Sequence, residues 1–136
     1  MKKTLTLLGL IPALASAQSL VNTTPENRTV LLEDFTGIHC GYCPEGHVIM
    51  AALEERFGPR YVGVGVHAGG FAVPQGNEPD FRTDEGTAID AHFTISGYPA
   101  GVINRHLFDG EDDLGRGSWE GAVEQVLDMP SPVNLG

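Results

Sequence analysis

The chain has 136 residues, and its 18 acidic residues outnumber its 8 lysines and arginines to give a formal net charge of −10 at pH 7. The length allows one domain of ordinary size, and a surface this acidic repels phosphate backbones, which argues against a nucleic-acid partner. The chain contains only two cysteines, Cys40 and Cys43, so it can form a single internal disulfide.

The first 17 residues have the pattern of a secretory signal peptide. Lys2 and Lys3 give a basic start, an apolar run covers residues 5–14, and Ala15-Ser16-Ala17 is a small-residue cleavage signal. The apolar run is too short to cross a bilayer. We therefore predict an exported protein with no membrane span in its mature chain, which begins with an exposed polar lead-in over residues 18–28.

Residues 29–129 are predicted to form one α/β domain. Residues 29–35 are almost continuously apolar, which is typical of a strand buried on both faces. A helix is expected to begin within residues 40–44 and to end at Phe57. The valine-rich residues 61–67 follow as a second strand, and a strand–helix–strand unit of this length forms a parallel pair.

The second half of the domain is predicted to contain a loop, two helices and one strand. Residues 68–79 are rich in glycine and proline and indicate a loop, and a weaker helical pattern covers residues 81–93. A third strand is expected over residues 101–107. The last helix is predicted to start at the N-cap Ser118 and to run through Leu127. Residues 130–136 resemble a linker into a following segment.

The two cysteines lie at the predicted junction of the first strand and the first helix, within the segment His39-Cys40-Gly41-Tyr42-Cys43-Pro44. A helix N-terminus lowers the pKa of a thiol from its free value of about 8.5, which favours Cys40 as the attacking thiolate and the more shielded Cys43 as the resolving thiol. A disulfide across so short a loop stabilises a fold by only about 2 kcal/mol. The pair is better placed for chemistry than for stability, although a small structural disulfide or two idle thiols is the alternative.

Asp34 stands six residues before Cys40, inside the first predicted strand. A carboxyl group buried beneath the helix start would have a raised pKa and would be able to accept the proton of Cys43. Strand alternation does not decide whether Glu33 or Asp34 faces inward. The alternative, that one of them simply faces solvent, therefore stays open.

The dipeptide Tyr98-Pro99 directly precedes the third predicted strand. A cis peptide bond at Pro99 would expose the backbone of Tyr98 beside the sulfur atoms, where an extended peptide pairs with it. The alternative is an ordinary loop proline with a trans bond.

Taken in this order, Asp34-Phe35, the Cys40–Cys43 motif and Gly97-Tyr98-Pro99-Ala100 resemble the thioredoxin-like superfamily. The resemblance covers residues 30–127 and implies a three-layer α/β/α fold with a central mixed sheet. No clear strand is found between residues 107 and 118, which leaves open whether the last edge strand exists. The resemblance implies four catalytic residues, namely Cys40, Cys43, Asp34 and Pro99. We expect substrate binding at Tyr98, His39 and Tyr42, although thioredoxins carry a tryptophan at the position of His39.

A narrower resemblance concerns residues 32–37, Cys43-Pro44 and Asn104-Arg105, together with the signal peptide. These features look like the outer-membrane-protein-28-related family of exported bacterial proteins. This resemblance implies a location in the periplasm, or at the outer membrane or cell surface, of a Gram-negative bacterium. The dipeptide Gly41-Tyr42 is similar to that of periplasmic disulfide isomerases.

The predicted activity is thiol–disulfide exchange with protein or peptide substrates, supported by a redox partner protein and without a cofactor. The direction of exchange stays open between reduction, oxidation and isomerisation. One alternative is a non-catalytic binding module that displays residues 68–79 to a surface partner. The other is a zinc site, in which four side chains within nine residues would supply the ligands, namely His39, Cys40, Cys43 and His47.

Overall fold

The computed structural model describes residues 24–133, which contain a four-stranded mixed sheet and three α-helices. The strands are β1 (Val30–Thr36), β2 (Tyr61–His67), β3 (Ala100–Ile103) and β4 (Leu114–Gly115). The helices are α1 (Cys43–Phe57), α2 (Asp84–Phe93) and α3 (Trp119–Leu127). The predicted α/β class and mixed sheet are confirmed, whereas the predicted signal peptide lies outside the described residues.

The sheet has the strand order β2-β1-β3-β4, with β1 in the interior. β1 and β2 are parallel along their full length, from the pair Val30 and Tyr61 to the pair Thr36 and His67. This confirms the predicted parallel pair on either side of α1. β3 runs antiparallel to β1 and brings the segment after Pro99 next to the strand that carries Asp34.

Helices cover both faces of the sheet. Successive side chains of β1 point to opposite faces, so this strand contributes to a separate core on each face. Val30 and Leu32 pack in one core with Leu53 of α1 and with the buried face of α3, which is formed by Trp119, Ala122, Val123, Val126 and Leu127. Phe35 packs in the opposite core with Val66 of β2 and Phe93 of α2. Asp34 alternates with Phe35 and therefore lies on the face that α1 and α3 cover.

The third strand ends at Ile103, so the prediction that it continues to residue 107 is wrong. Asn104 and Arg105 have φ values of 48° and 51°, in the left-handed region that asparagine tolerates better than most residues. The Asn104 side chain accepts a hydrogen bond from the Leu31 backbone N–H at 2.6 Å. The Asn104 backbone N–H also donates to the Leu31 carbonyl at 2.9 Å, so both the backbone and the side chain of Asn104 bond to β1 where β3 ends.

A short edge strand, β4, is present where the sequence analysis found none, and it pairs antiparallel with β3. Its two residues are too few for an alternating pattern to be visible in the sequence. After β4, Ser118 occupies the predicted N-cap of α3, but it makes no side-chain capping bond within the described chain. At α2, the side chain of Thr83 does cap the helix, and the helix begins at Asp84 rather than at residue 81.

The two ends of the described chain run side by side. The Arg28 N–H donates to the Met129 carbonyl at 3.1 Å, and the Ser131 N–H donates to the Glu26 carbonyl at 2.6 Å. Residues 26–28 of the polar lead-in are thereby tied to the segment that follows α3. Between residues 24 and 133, no helix is both long enough and apolar enough to cross a bilayer.

Candidate redox site

Cys40 and Cys43 are joined by a disulfide directly in front of α1. The helix begins at Cys43, and Cys40 lies in the preceding turn, where its carbonyl accepts a hydrogen bond from the Cys43 N–H at 3.3 Å. Pro44 stands in the first helical turn, where its missing N–H costs no intrahelical hydrogen bond. Cys40 is 7% exposed and Cys43 is 1% exposed, so Cys40 is the more accessible of the two.

Asp34 is fully buried on the face of β1 that α1 covers. Within residues 24–133, neither of its carboxylate oxygens has a hydrogen-bond partner. Burial raises the pKa of Asp34 from 3.8 to about 7. Glu33 is also buried, on the opposite face, so the alternative that one of the two carboxylates faces solvent is wrong.

The two residues that pair with Asp34 across the sheet are both glycines, Gly65 on β2 and Gly101 on β3. On the Gly101 side, the indole of Trp119 fills the space that a side chain would occupy, and its N–H donates to the Leu114 carbonyl rather than to Asp34. On the Gly65 side there is room for a methyl group. Asp34 therefore has the Trp119 indole on its Gly101 side and an open space on its Gly65 side.

The open space is a cleft of about 350 Å³ between α1 and β2. Its lining consists of Thr36, His47, Met50, Ala51, Glu54, Tyr61, Gly63, Gly65 and His67. His47 Nε2 lies 3.1 Å from Thr36 Oγ1, with which it shares a hydrogen bond, and 3.3 Å from Asp34 Oδ2. From the sequence alone, His47 is predicted only as a possible zinc ligand, although its position four residues after Cys43 places both on one face of α1.

The peptide bond between Tyr98 and Pro99 is cis, the geometry that the family resemblance implies. Pro99 is buried, and its Cβ lies 3.4 Å from the position that a Cβ on Gly46 would occupy. This contact places Pro99 beside the first turns of α1. The Tyr98 hydroxyl donates a hydrogen bond to Asp90, and its ring packs edge-on against Phe71.

The loop predicted over residues 68–79 borders the disulfide segment. The His39 N–H donates to the Phe71 carbonyl at 2.9 Å, and the His39 Nε2 lies 2.9 Å from a carboxylate oxygen of Glu78. Tyr42, between the cysteines, is 66% exposed, and Phe71 and Val73 of the loop are also exposed. Apolar side chains therefore reach solvent on the disulfide segment and on the loop that contacts it.

The four side chains of the zinc alternative are not brought together. His39 bonds to Glu78 and His47 bonds to Thr36, while the two cysteines bond to each other. In the part of the chain that the structure describes, no group of three or more histidine, cysteine, aspartate or glutamate side chains is placed to hold a metal ion.

No protein-family model matches the chain, and no curated protein matches it significantly. The functional conclusion therefore depends on the geometry of the site itself. That geometry is a Cys-x-x-Cys disulfide at the start of α1, a helix that covers a buried carboxyl group whose pKa is raised to about 7. Such an arrangement is compatible with redox chemistry.

Proposed function

We propose that the protein is a thioredoxin-like thiol–disulfide oxidoreductase that exchanges disulfides with protein or peptide substrates. The observation that carries this proposal is the Cys40–Cys43 disulfide in front of α1, on the same side of the sheet as the buried Asp34 carboxyl group. The mixed sheet with helices on both faces and the cis bond at Pro99 support the family resemblance.

In the first step, the Cys40 thiolate of the reduced protein attacks one sulfur of a substrate disulfide. The partial positive charge of a helix N-terminus and its unpaired N–H groups stabilise a thiolate at this position. A bond forms between Cys40 and the substrate, the substrate disulfide breaks, and one substrate sulfur leaves as a thiolate that takes up a proton. The greater exposure of Cys40 supports its role as the attacking residue.

In the second step, Cys43 gives its proton to the Asp34 carboxylate and attacks the sulfur of Cys40. The Cys40–Cys43 bond forms, the mixed disulfide breaks, and the second substrate sulfur leaves as a thiolate that is then protonated. Overall, the substrate gains two electrons and two protons, and the protein dithiol becomes a disulfide. The reverse sequence oxidises a substrate dithiol, and a redox partner protein restores the starting state.

The burial of Asp34 supports a chemical role for the disulfide over a structural one. A structural disulfide needs no ionisable neighbour, and a buried carboxyl group without hydrogen bonds lowers stability. Asp34 has no such bond from any residue between 24 and 133. A proton acceptor for Cys43, by contrast, requires a carboxyl group whose pKa lies near the working pH, and burial raises the pKa of Asp34 to about 7.

The exposed side chains of Tyr42, Phe71 and Val73 support a polypeptide substrate, because they offer an apolar border on the disulfide segment and its neighbouring loop. The main chain of Tyr98 is available to pair with an extended peptide, as the family resemblance implies. We also propose export to the periplasm, outer membrane or cell surface, where disulfides persist. The N-terminal signal pattern supports this location.

The test is exchange between the reduced protein and a model peptide disulfide, followed by thiol release and mass spectrometry. Wild-type protein is expected to complete the exchange, and Cys40→Ser is expected to abolish it. Cys43→Ser is expected to accumulate the mixed disulfide, because the resolving thiol is absent. The reduction potential then gives the direction, since a value of about −270 mV favours a reductant and about −120 mV an oxidant.

A second candidate is a non-catalytic binding module, which the exposure of Phe71 and Val73 equally favours. It predicts no exchange by wild-type protein and no difference between wild type and Cys40→Ser. That result would overturn the oxidoreductase proposal. Peptide binding that is lost in a Phe71→Ser variant, with exchange absent throughout, would then support the binding module.

A further inference from the structure

We propose that His47 carries protons between solvent and the Asp34 carboxyl group, through the cleft between α1 and β2. The inference deepens the proposed function and rests on it, because it supplies the route by which Asp34 is reset after each exchange. Because His47 affects the reaction only through Asp34, we call it a positioning residue and not a catalytic one.

His47 is a neighbour of Asp34 whose side chain is exposed to solvent. His47 Nε2 is 3.3 Å from Asp34 Oδ2, while 53% of the His47 side chain is exposed. Asp34 itself is fully buried, and Trp119 closes the side of it that faces β3. The imidazole thus spans the distance between a carboxyl group without access to water and the open cleft.

The cleft contains further polar groups that are buried without a protein partner. Tyr61 OH and His67 Nδ1 have no hydrogen bond from any residue of the described range, and both residues line the cleft. A cleft of about 350 Å³ is large enough to hold several water molecules, which would satisfy such groups. Water in the cleft gives the His47 ring a proton donor and acceptor on its solvent side.

Thr36 fixes the orientation of the ring. Its hydroxyl shares a 3.1 Å hydrogen bond with the same Nε2 that lies next to Asp34. The second ring nitrogen, Nδ1, is then left for the solvent side, and a proton taken up at one nitrogen is matched by a proton released from the other. The ring returns to its starting state when the tautomer is restored through water.

Four titratable groups face His47 from the elements packed around it. Asp34 lies on β1, Tyr61 and His67 lie on β2, and Glu54 lies on α1 itself. Burial, Asp34 and Glu54 raise the pKa of Tyr61 to about 12, and burial together with His47 lowers the pKa of His67. Tyr61 and His67 therefore stay uncharged at neutral pH, and His47 is placed to carry the proton because its Nε2 lies 3.3 Å from Asp34 Oδ2.

The route completes the proton balance of the exchange. When Cys43 forms the Cys40–Cys43 disulfide, its proton passes to the Asp34 carboxylate, from there to His47, and then to cleft water. No electron moves in these transfers. In the reverse direction, the same groups deliver a proton to the Cys43 sulfur when it leaves as a thiolate.

The first test measures the resolution of the mixed disulfide in single turnovers, as release of the second substrate thiol. His47→Ala is expected to slow this step by at least about tenfold near neutral pH, less than the loss of a full general base because Asp34 remains. Imidazole added to His47→Ala is expected to restore the rate by entering the vacated space. His92→Gln, which removes an exposed histidine of α2, serves as the matched control and is expected to match wild type.

Imidazole should not rescue Asp34→Asn/His47→Ala, because the group through which it acts is then missing. A purely structural role of His47 would lower the stability of His47→Ala but would give no rescue by imidazole. An unchanged resolution rate in a folded His47→Ala protein, or a rescue that does not need Asp34, would overturn the proposal.

A second measurement does not depend on exchange. The carboxyl carbon of Asp34 is followed by NMR against pH in wild type and in His47→Gln. The Asp34 titration is expected to shift in His47→Gln, because His47 Nε2 lies 3.3 Å from Asp34 Oδ2 and its replacement changes the surroundings of the carboxyl group. Identical Asp34 titrations in the two proteins would overturn proton transfer through His47, whereas a shifted titration without any exchange would overturn only the oxidoreductase function.

Discussion

Glu33 and Asp34 are neighbours in β1, both are buried, and they lie on opposite faces of the sheet with opposite surroundings. Glu33 accepts two hydrogen bonds from the Arg105 guanidinium, at 2.8 and 3.1 Å, and that guanidinium lies 5.6 Å from the centre of the Phe93 ring. Asp34 receives no hydrogen bond from any part of the chain between residues 24 and 133. One strand thus carries, side by side, a carboxylate that accepts two hydrogen bonds from an arginine and a carboxyl group that accepts none within that range and has the His47 ring nitrogen 3.3 Å away.

The difference shows two ways to bury a carboxyl group. The hydrogen-bonded guanidinium of Arg105 compensates the loss of water around Glu33, whereas the buried Asp34, which accepts no hydrogen bond from the described chain, is disfavoured as a carboxylate and retains its proton. The side-chain hydrogen bonds from Arg105 to Glu33 raise the pKa of the guanidinium, so Arg105 stays charged. Glu33 therefore suits a structural role, and Asp34 suits a role in which a proton is gained and lost.

The largest expected effect concerns the pH dependence of stability at Asp34. Because burial raises the pKa of Asp34 from 3.8 to about 7, the folded protein holds a proton over this interval that the unfolded chain has released. The free energy of unfolding should therefore fall as the pH rises, by about 4 kcal/mol in total from this group. Asp34→Asn removes this fall.

The measurement is urea unfolding of wild type and Asp34→Asn at several pH values between about 4 and 8. The difference between the two proteins at each pH isolates the contribution of Asp34 from that of the other titrating groups. Parallel curves for the two proteins would contradict a buried Asp34 whose pKa is raised by its burial.

An intermediate effect is expected when Glu33 loses its partner. Arg105→Ala leaves the Glu33 carboxylate buried without its two charged hydrogen bonds, which should lower the free energy of unfolding by about 2 kcal/mol. The matched control is Arg82→Ala, which breaks a similar two-point contact with Asp80 on the exposed surface and should change stability little. The free energy of unfolding of both variants is measured with urea. An equal decrease in the two would show that the buried Glu33–Arg105 pair stabilises the fold no more than the exposed Asp80–Arg82 pair does.

A smaller pair of effects concerns the two glycines beside Asp34. A methyl group at Gly101 would lie 2.4 Å from Trp119 Nε1, so Gly101→Ala should destabilise the protein by about 1–3 kcal/mol through overpacking. A methyl group at Gly65 meets only Thr36 Cγ2, at 3.8 Å. Gly65→Ala should therefore be neutral, or should stabilise by up to about 1 kcal/mol because a strand glycine loses more backbone entropy than alanine.

Thermal and urea unfolding of the two alanine variants compare the closed and the open side of Asp34. A destabilisation of similar size in both would mean that the Gly65 side is as tightly packed as the Gly101 side. That outcome would contradict the cleft through which His47 reaches the carboxyl group.

The central part of the fold was predictable because its signals are local. The apolar run before the cysteines and the valine-rich residues 61–67 identified β1 and β2 within one residue, and the spacing of Asp34 and Cys40 directed attention to the site. β4 was missed because two residues carry no periodicity, and the early end of β3 depends on the left-handed backbone of Asn104. The position of β4 and the end of β3 depend on tertiary contacts, which the pattern of apolar residues in the sequence does not show.

The electrostatic partners of Glu33 and Asp34 could not be predicted from the sequence. Arg105 is 72 residues from Glu33, and only the fold brings the two together. His47 appeared in the sequence as one more candidate near the cysteines, and its contact with Asp34 follows from how α1 lies on the sheet. The sequence therefore identified the residues of the candidate site more readily than the connections between them.

Trp119 is the only tryptophan of the chain and is fully buried. Its ring fills the space next to Gly46 of α1 and Gly101 of β3, close to both the Pro99 segment and the strand position opposite Asp34. An indole in such a position senses the electric field of a nearby carboxylate and the proximity of sulfur atoms. The tryptophan fluorescence of the protein, excited selectively over its three tyrosines, therefore comes from one ring beside the site and offers an optical signal for the redox and protonation states without any label.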